Sequence, residues 1–238
     1  YLDLSQTFPE ETEVTVNGKK QIVSTDGGNY LNLPEEAELL TTYETNGDYP
    51  TGMRVYRIIR NENGSRLEAV PELENLLQYA GCSICLTGTK GIRMITALDG
   101  ATKAALTGAG LAGFTLEEYG TVVAKKSSLG DNDLTLETGK HNFAYKKGVS
   151  DPVFGNAGNL TQYTNVLVGF SLEDCKEMLV MRPYILLRDE TGEVHTVYGG
   201  VVTRSIGYIA KQNENTYRPG TDGYSYIHEI IAAVYGQG

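Results

Sequence analysis

Short runs in which apolar and polar residues alternate, each closed by Gly, Asn or Asp, constrain this chain more than any other feature. A period of two puts every second side chain on one face of a strand, which excludes an all-helical fold. Glu13-Val14-Thr15-Val16 and Gln21-Ile22-Val23 flank Asn17-Gly18, whose members tolerate positive φ, so residues 12–24 read as a hairpin. Asp26-Gly27-Gly28 turns the chain again, and Tyr30, Leu31 and Leu33 lead into Pro34. A second hairpin joins Met53-Arg54-Val55-Tyr56-Arg57-Ile58-Ile59 to Leu67-Glu68-Ala69-Val70 across Asn61-Glu62-Asn63-Gly64.

Residues 71–79 open with Pro and predict a short helix. Beyond Gly81, strands are predicted at 82–88, 91–98, 119–126, 164–171, 178–188, 193–198 and 200–204, with helices at 99–107, 205–212 and 225–235. Ile227, Ile230, Ile231 and Val234 fall at i, i+3, i+4 and i+7, one apolar helix face. Asp189-Glu190-Thr191-Gly192 is a hairpin turn. Residues 128–163, rich in Gly, Asn, Asp and Ser, read as a long irregular excursion of the kind that carries function. The fold class is therefore mainly β, in two domains. A small antiparallel β (Ig-like) domain over 1–77 precedes a larger β-sandwich with short flanking helices over 78–238. Charge divides at the same place: residues 1–77 hold 6 Lys+Arg and 14 Asp+Glu, net -8, while residues 78–238 hold 14 and 16, net -2.

At 238 residues, 40% apolar and 21% charged, the chain is globular in composition and long enough to bury a core without disulfide or metal staples. A net charge of -10 opposes nucleic acid as a partner, because phosphate binding needs clustered Lys and Arg. No apolar run approaches the ~18 residues of a membrane span, so no membrane insertion of this piece is expected. The start at Tyr1 reads as a processed or excised piece with any signal peptide removed. Three cysteines exclude a disulfide-dense scaffold.

The motifs that invite chemistry mostly lack its context. Cys82 and Cys85 form C-x-x-C on a predicted strand, where they point to opposite faces, and Cys175 stands apart from them. Gly108-Ala109-Gly110-Leu111-Ala112-Gly113 spells G-x-G-x-x-G but follows a predicted helix instead of a strand, so Gly108 reads as a helix C-cap. Asp131, Asn132, Asp133 and Glu137 offer oxygens, yet Leu136 and Asn142 occupy the EF-hand Gly and Glu positions. Glu117-Glu118 and Asp189-Glu190 are adjacent carboxylates, not a pair facing across a cleft. His141, His195 and His228 sit in excursion, strand and helix, with no local nucleophile signature. No catalytic residue, metal or cofactor is predicted. Tyr208, Tyr217, Tyr224, Tyr226 and Tyr235 crowd the C-terminal end. The first four are candidate ligand-binding residues, because sugars stack on exposed rings; half-buried packing is the competing use.

Gly91-Ile92-Arg93-Met94-Ile95-Thr96, Glu118-Tyr119-Gly120-Thr121-Val122-Val123-Ala124, Arg182-Pro183-Tyr184-Ile185 and Thr203-Arg204-Ser205-Ile206-Gly207-Tyr208-Ile209-Ala210 occur in that order. Across residues 80–212 the set resembles a β-sandwich module of large secreted or cell-surface proteins of Gram-positive, often gut-dwelling, bacteria. There the module accompanies Ig-like, surface-layer or carbohydrate-related domains. The resemblance consists of framework residues, and no functional residue is carried over with it. It implies an extracellular or cell-surface location and a non-enzymatic role as spacer, adhesion or ligand-binding unit. The partner would be a cell-wall or dietary glycan, or a host or bacterial surface protein. The alternative is a carbohydrate-binding module of a polysaccharide-processing system, and after it a glycan-active hydrolase. On partly buried strands Arg93 and Arg182 need acceptors, and Glu118 is the expected partner in a structural ion pair.

Overall fold

The computed structural model describes residues 12–16, 19–23, 39–46, 49–61, 64–86, 90–149 and 153–236. Within them the protein is mainly β, and three antiparallel sheets carry the chain. The first sheet has the order β2-β1-β3-β4-β5, from β1 (Thr12–Val16), β2 (Lys19–Val23), β3 (Leu39–Asn46), β4 (Tyr49–Asn61) and β5 (Gly64–Ala69). Val16 lies opposite Lys19, and Asn61 opposite Gly64, as the two hairpin signals require. Asn17, Gly18, Asp26 to Gly28, Tyr30, Leu31, Leu33 and Pro34 lie outside the described residues.

Residues 71–79 do not form the expected helix. One 3-10 turn, Pro71–Leu73, is followed by Asn75 at φ 53°, a left-handed conformation that stops helical growth. The segment instead drives Leu73, Leu76 and Leu77 into the core and enters β6 (Gln78–Cys85). β6 pairs with β7 (Gly91–Asp99) in the second sheet, ordered β10-β11-β7-β6. Asp99 then caps α1 (Gly100–Thr107), its carboxylate accepting from the Thr102 amide at 2.9 Å. The third sheet, β13-β12-β8-β9, uses β8 (Phe114–Lys125), β9 (Lys140–Lys146), β12 (Met178–Asp189) and β13 (Val194–Tyr198), with β14 (Val202–Ser205) also on β12.

The expected irregular excursion at 128–163 is therefore partly regular. It contains β9, β10 (Gly155–Ala157) and the start of β11 (Leu160–Val168). Its first part, with the short helix α2 (Lys126–Leu129), folds onto the outer face of the third sheet. Leu129 and Leu134 are buried there against Val122, Val180, Tyr184 and Tyr198. Gly139 permits that approach, since a Cβ there would meet Leu134 and Val122 side chains at 2.6 Å.

The second and third sheets face each other as a sandwich. Tyr119 and Tyr163 meet edge to face across it, with centroids 4.8 Å apart. Beside them Thr121 donates to Asn165 Oδ1 at 3.1 Å, and Asn165 Nδ2 donates to the Asn142 carbonyl at 2.9 Å. These bonds satisfy polar groups in a region where an unpaired one is costly. The apolar core does not stop at residue 77: Leu39, Met53 and Val55 of the first sheet share one cluster with Leu116, Tyr119, Ile185 and Val197 of the third. A second cluster lies at the other end of the sandwich, under α3 (Ile206–Gln212) and α4 (Asp222–Tyr235), with Ile227, Ile230 and Ile231 buried. Ser205 and Thr221 cap these helices through the Tyr208 and Tyr224 amides. No described helix is long and apolar enough to cross a membrane.

Candidate functional site

Asn165 bridges β11 and β9 through Thr121 and the Asn142 carbonyl. Beyond that bridge, between the ends of β8 and β11, lies a groove of about 540 Å³. Its apolar lining comes from Val123, Leu167, Leu179 and Ile206, which belong to both sheets and to α3, and from Phe170 in the loop after β11. Its polar lining comes from Ser128, Thr138, Lys125, Lys140 and Asp174. The volume falls in the range of small-molecule pockets, and an apolar lining with a few polar groups is their usual composition.

The charged groups of the rim are unequal. Lys125 Nζ meets Asp174 Oδ1 at 2.5 Å, and Asp174 Oδ2 accepts from the amide and hydroxyl of Ser171. The Lys125 ammonium, then the Ser171 donors, hold the Asp174 carboxyl far below the usual carboxylate range. A carboxylate locked in its ionised form is a poor proton donor at neutral pH. Lys140 is exposed and makes no ion pair among the described residues.

The sequence candidates are scattered. Tyr208, on α3, is 38% exposed, with the Arg204 guanidinium 5.2 Å from its ring centre. Tyr217 and Tyr226 pack against the helical core cluster. Tyr224 lies on His228 with ring centres 3.9 Å apart. Tyr224 and Tyr226 are two residues apart on α4, hence about 200° apart around its axis, and cannot share one stacking face.

Arg93, Glu118 and Arg182 do not meet as the expected ion pair. Arg93 is on β7, in the other sheet from Glu118; its Nη2 donates to Cys85 Sγ at 3.3 Å and its guanidinium lies over Phe154. Arg182 is registered with Val122, four residues along β8 from Glu118. Its Nε and Nη1 donate to the Gly199 and Leu134 carbonyls, and it lies over Tyr198 at 4.6 Å. Glu118 instead accepts from Tyr184 Oη at 2.6 Å and pairs with Lys146 at 3.1 Å. Strand register, which sequence does not reveal, chose these partners.

The remaining motifs serve structure. Cys82 lies beside Tyr79 Oη at 2.8 Å on the inward face of β6, and Cys85 beside Arg93 on the other. Burial raises the Cys82 thiol pKa and pushes Cys175 up to about 11, which keeps both protonated at neutral pH. The 108–113 loop caps α1 and turns into β8, and its Ala112 carbonyl accepts from Arg57 Nη2 at 2.9 Å. Asp131 to Asp133 form a turn, with the Asn132 amide and side chain both donating to the Leu129 carbonyl.

One cluster was not legible as such. Asp189, Glu193 and His195 bring ligand-type atoms within 4.8 Å of one another on the β12–β13 hairpin. Asp189 Oδ1 accepts from the Thr191 and Glu193 amides and the Thr191 hydroxyl, and Oδ2 meets His195 Nε2 at 2.9 Å. Both oxygens are thus engaged in locking the turn. A four-residue turn folding 189 back on 195 was the available signal. The groove had none, because Ser128, Lys140, Leu167 and Asp174 converge from separate segments. No protein-family model, no curated protein and no solved structure matches the chain.

Proposed function

We propose that the protein is a non-catalytic module of a secreted or cell-surface protein, acting as a spacer, adhesion or ligand-binding unit whose binding place is the groove between the ends of β8 and β11. The observation that carries this reading is the composition of that groove. Its floor is apolar and drawn from both sheets, and its one carboxylate, Asp174, is tied to Lys125 and Ser171. A glycosidase would need two carboxyls facing across the cleft, one of them with a raised pKa. The extracellular setting rests on the likeness of the 80–212 framework to Gram-positive surface modules. The exposed ring of Tyr208 favours a second reading, carbohydrate binding on the α3 surface.

Retention of the purified protein on insoluble polysaccharides and on peptidoglycan, after washing at high salt, tests both. Salt-resistant retention abolished by Val168→Arg, at the groove lip, supports the groove as the binding place. Retention abolished by Tyr208→Ala and untouched by Val168→Arg would transfer the function to the α3 surface. Absence of retention on every material would leave the spacer or protein-adhesion role.

A further inference from the structure

The groove has a chemical asymmetry that narrows its ligand, and the inference rests on reading it as the binding place. Its floor is aliphatic, with Val123, Leu167, Leu179 and Ile206 and the single ring of Phe170. At its lip the side chain of Val168 is 45% exposed to solvent. An apolar floor with an apolar residue at its mouth suits an apolar ligand segment. Two ammonium groups stand on the rim. The Lys125 charge is consumed by Asp174, whereas Lys140, registered with Val123 at the start of the neighbouring strand β9 and without an ion pair among the described residues, remains available to a ligand. A sugar would want a flat aromatic platform and several hydroxyl partners. This groove offers one half-buried ring, and the Thr138 hydroxyl already donates to the Asp133 carbonyl at 2.6 Å.

We infer that the groove binds an amphipathic monocarboxylate, a flexible aliphatic chain laid over Val123, Leu179 and Ile206 with its carboxylate held at Lys140. The floor is already packed in the core, with Val123 8%, Leu179 5% and Ile206 1% exposed, so the drive comes from the ligand: each of its methylenes that enters the groove leaves water, which favours binding. The carboxylate stays at the wet rim, where its desolvation cost is small and Lys140 supplies the opposite charge. In a chain of net charge -10 the Lys140 ammonium also gives the anion an entrance where the overall field opposes it.

Isothermal titration of the protein with sodium decanoate below its micelle concentration, with octanoate and with 1-decanol tests this. Decanoate is expected to bind, and to bind about fivefold or more tightly than octanoate, since two methylenes are removed from water. Lys140→Glu, on an exposed side chain that the fold does not use, is expected to weaken decanoate about tenfold while leaving decanol within about twofold. Val168→Arg should weaken both. No decanoate binding, or binding that ignores chain length, overturns the inference. Equal loss of decanoate and decanol in Lys140→Glu overturns the assignment of the carboxylate to Lys140. If decanoate fails while polysaccharide retention still depends on Val168, the groove remains the binding place and only this ligand class falls.

Discussion

At the scale of single residues, the buried polar side chains set the tolerances of this protein. Asn165 is 3% exposed and ties Thr121 to the Asn142 carbonyl, so it closes the sandwich on the side where the groove begins. Asn165→Ala leaves a buried hydroxyl and a carbonyl without that partner, and the urea midpoint should report a loss of about 2–3 kcal/mol. Glu118→Gln keeps an acceptor for Tyr184 but removes the charge that faces Lys146. Because the lysine is half exposed, the expected loss is smaller, about 1 kcal/mol in the same measurement. Acid acts on a different group. The His195 ring, then the Thr191 donors, hold the Asp189 carboxyl far below its ordinary value. A carboxyl depressed in the folded state contributes stability that is fully present above its unfolded pKa of about 3.9 and lost as pH falls through the folded value. Stability measured from pH 6 downward should therefore fall below about pH 5, and Asp189→Asn should flatten that slope. An unchanged slope would assign the acid sensitivity to other carboxylates, Glu117 beside Arg188 first among them.

At the scale of elements, what was legible in the sequence was what neighbouring residues decide together. α1 and α3 begin at Asp99 and Ser205, residues whose side-chain oxygens take the free amides of a first turn. α4 begins at Asp222, capped by Thr221 and three residues before the predicted start, and buries the predicted face. The hairpins at 49–69 and 178–198 follow their turn residues. The failure at 71–79 is instructive: Pro71 suits a helix start, but Leu73, Leu76 and Leu77 are all needed in the core, and an irregular turn delivers them better than one helical stripe. Packing of α3 on α4 depends on a missing side chain. A Cβ at Gly207 would meet both Val234 methyls at 2.7 Å, and β-branched Val234 has little freedom to retreat. Gly207→Ala should cost about 1–3 kcal/mol by thermal unfolding, and adding Val234→Ala should recover part of it.

At the scale of the whole molecule, one core cluster crosses the point where charge divides the chain. Leu39, Met53 and Val55 pack with Tyr119, Ile185 and Val197, and Thr41 donates to the Tyr198 carbonyl. Circular dichroism and tyrosine fluorescence should accordingly trace one coincident unfolding transition in urea, and two separated transitions would show that residues 1–77 hold together by themselves. The hairpin turns, the helix caps and the strongly alternating strands were determined by the sequence alone, because alternation, turn chemistry and capping act between residues a few positions apart; β3, β9 and β10, with weaker alternation, were not. The tertiary structure alone decided which sheets face each other, that Glu118 meets Lys146 and Tyr184 instead of an arginine, and that Val123, Lys140, Leu167 and Asp174 enclose one groove. Those outcomes depend on strand register and on the packing of segments far apart in the chain, and no local pattern carries either.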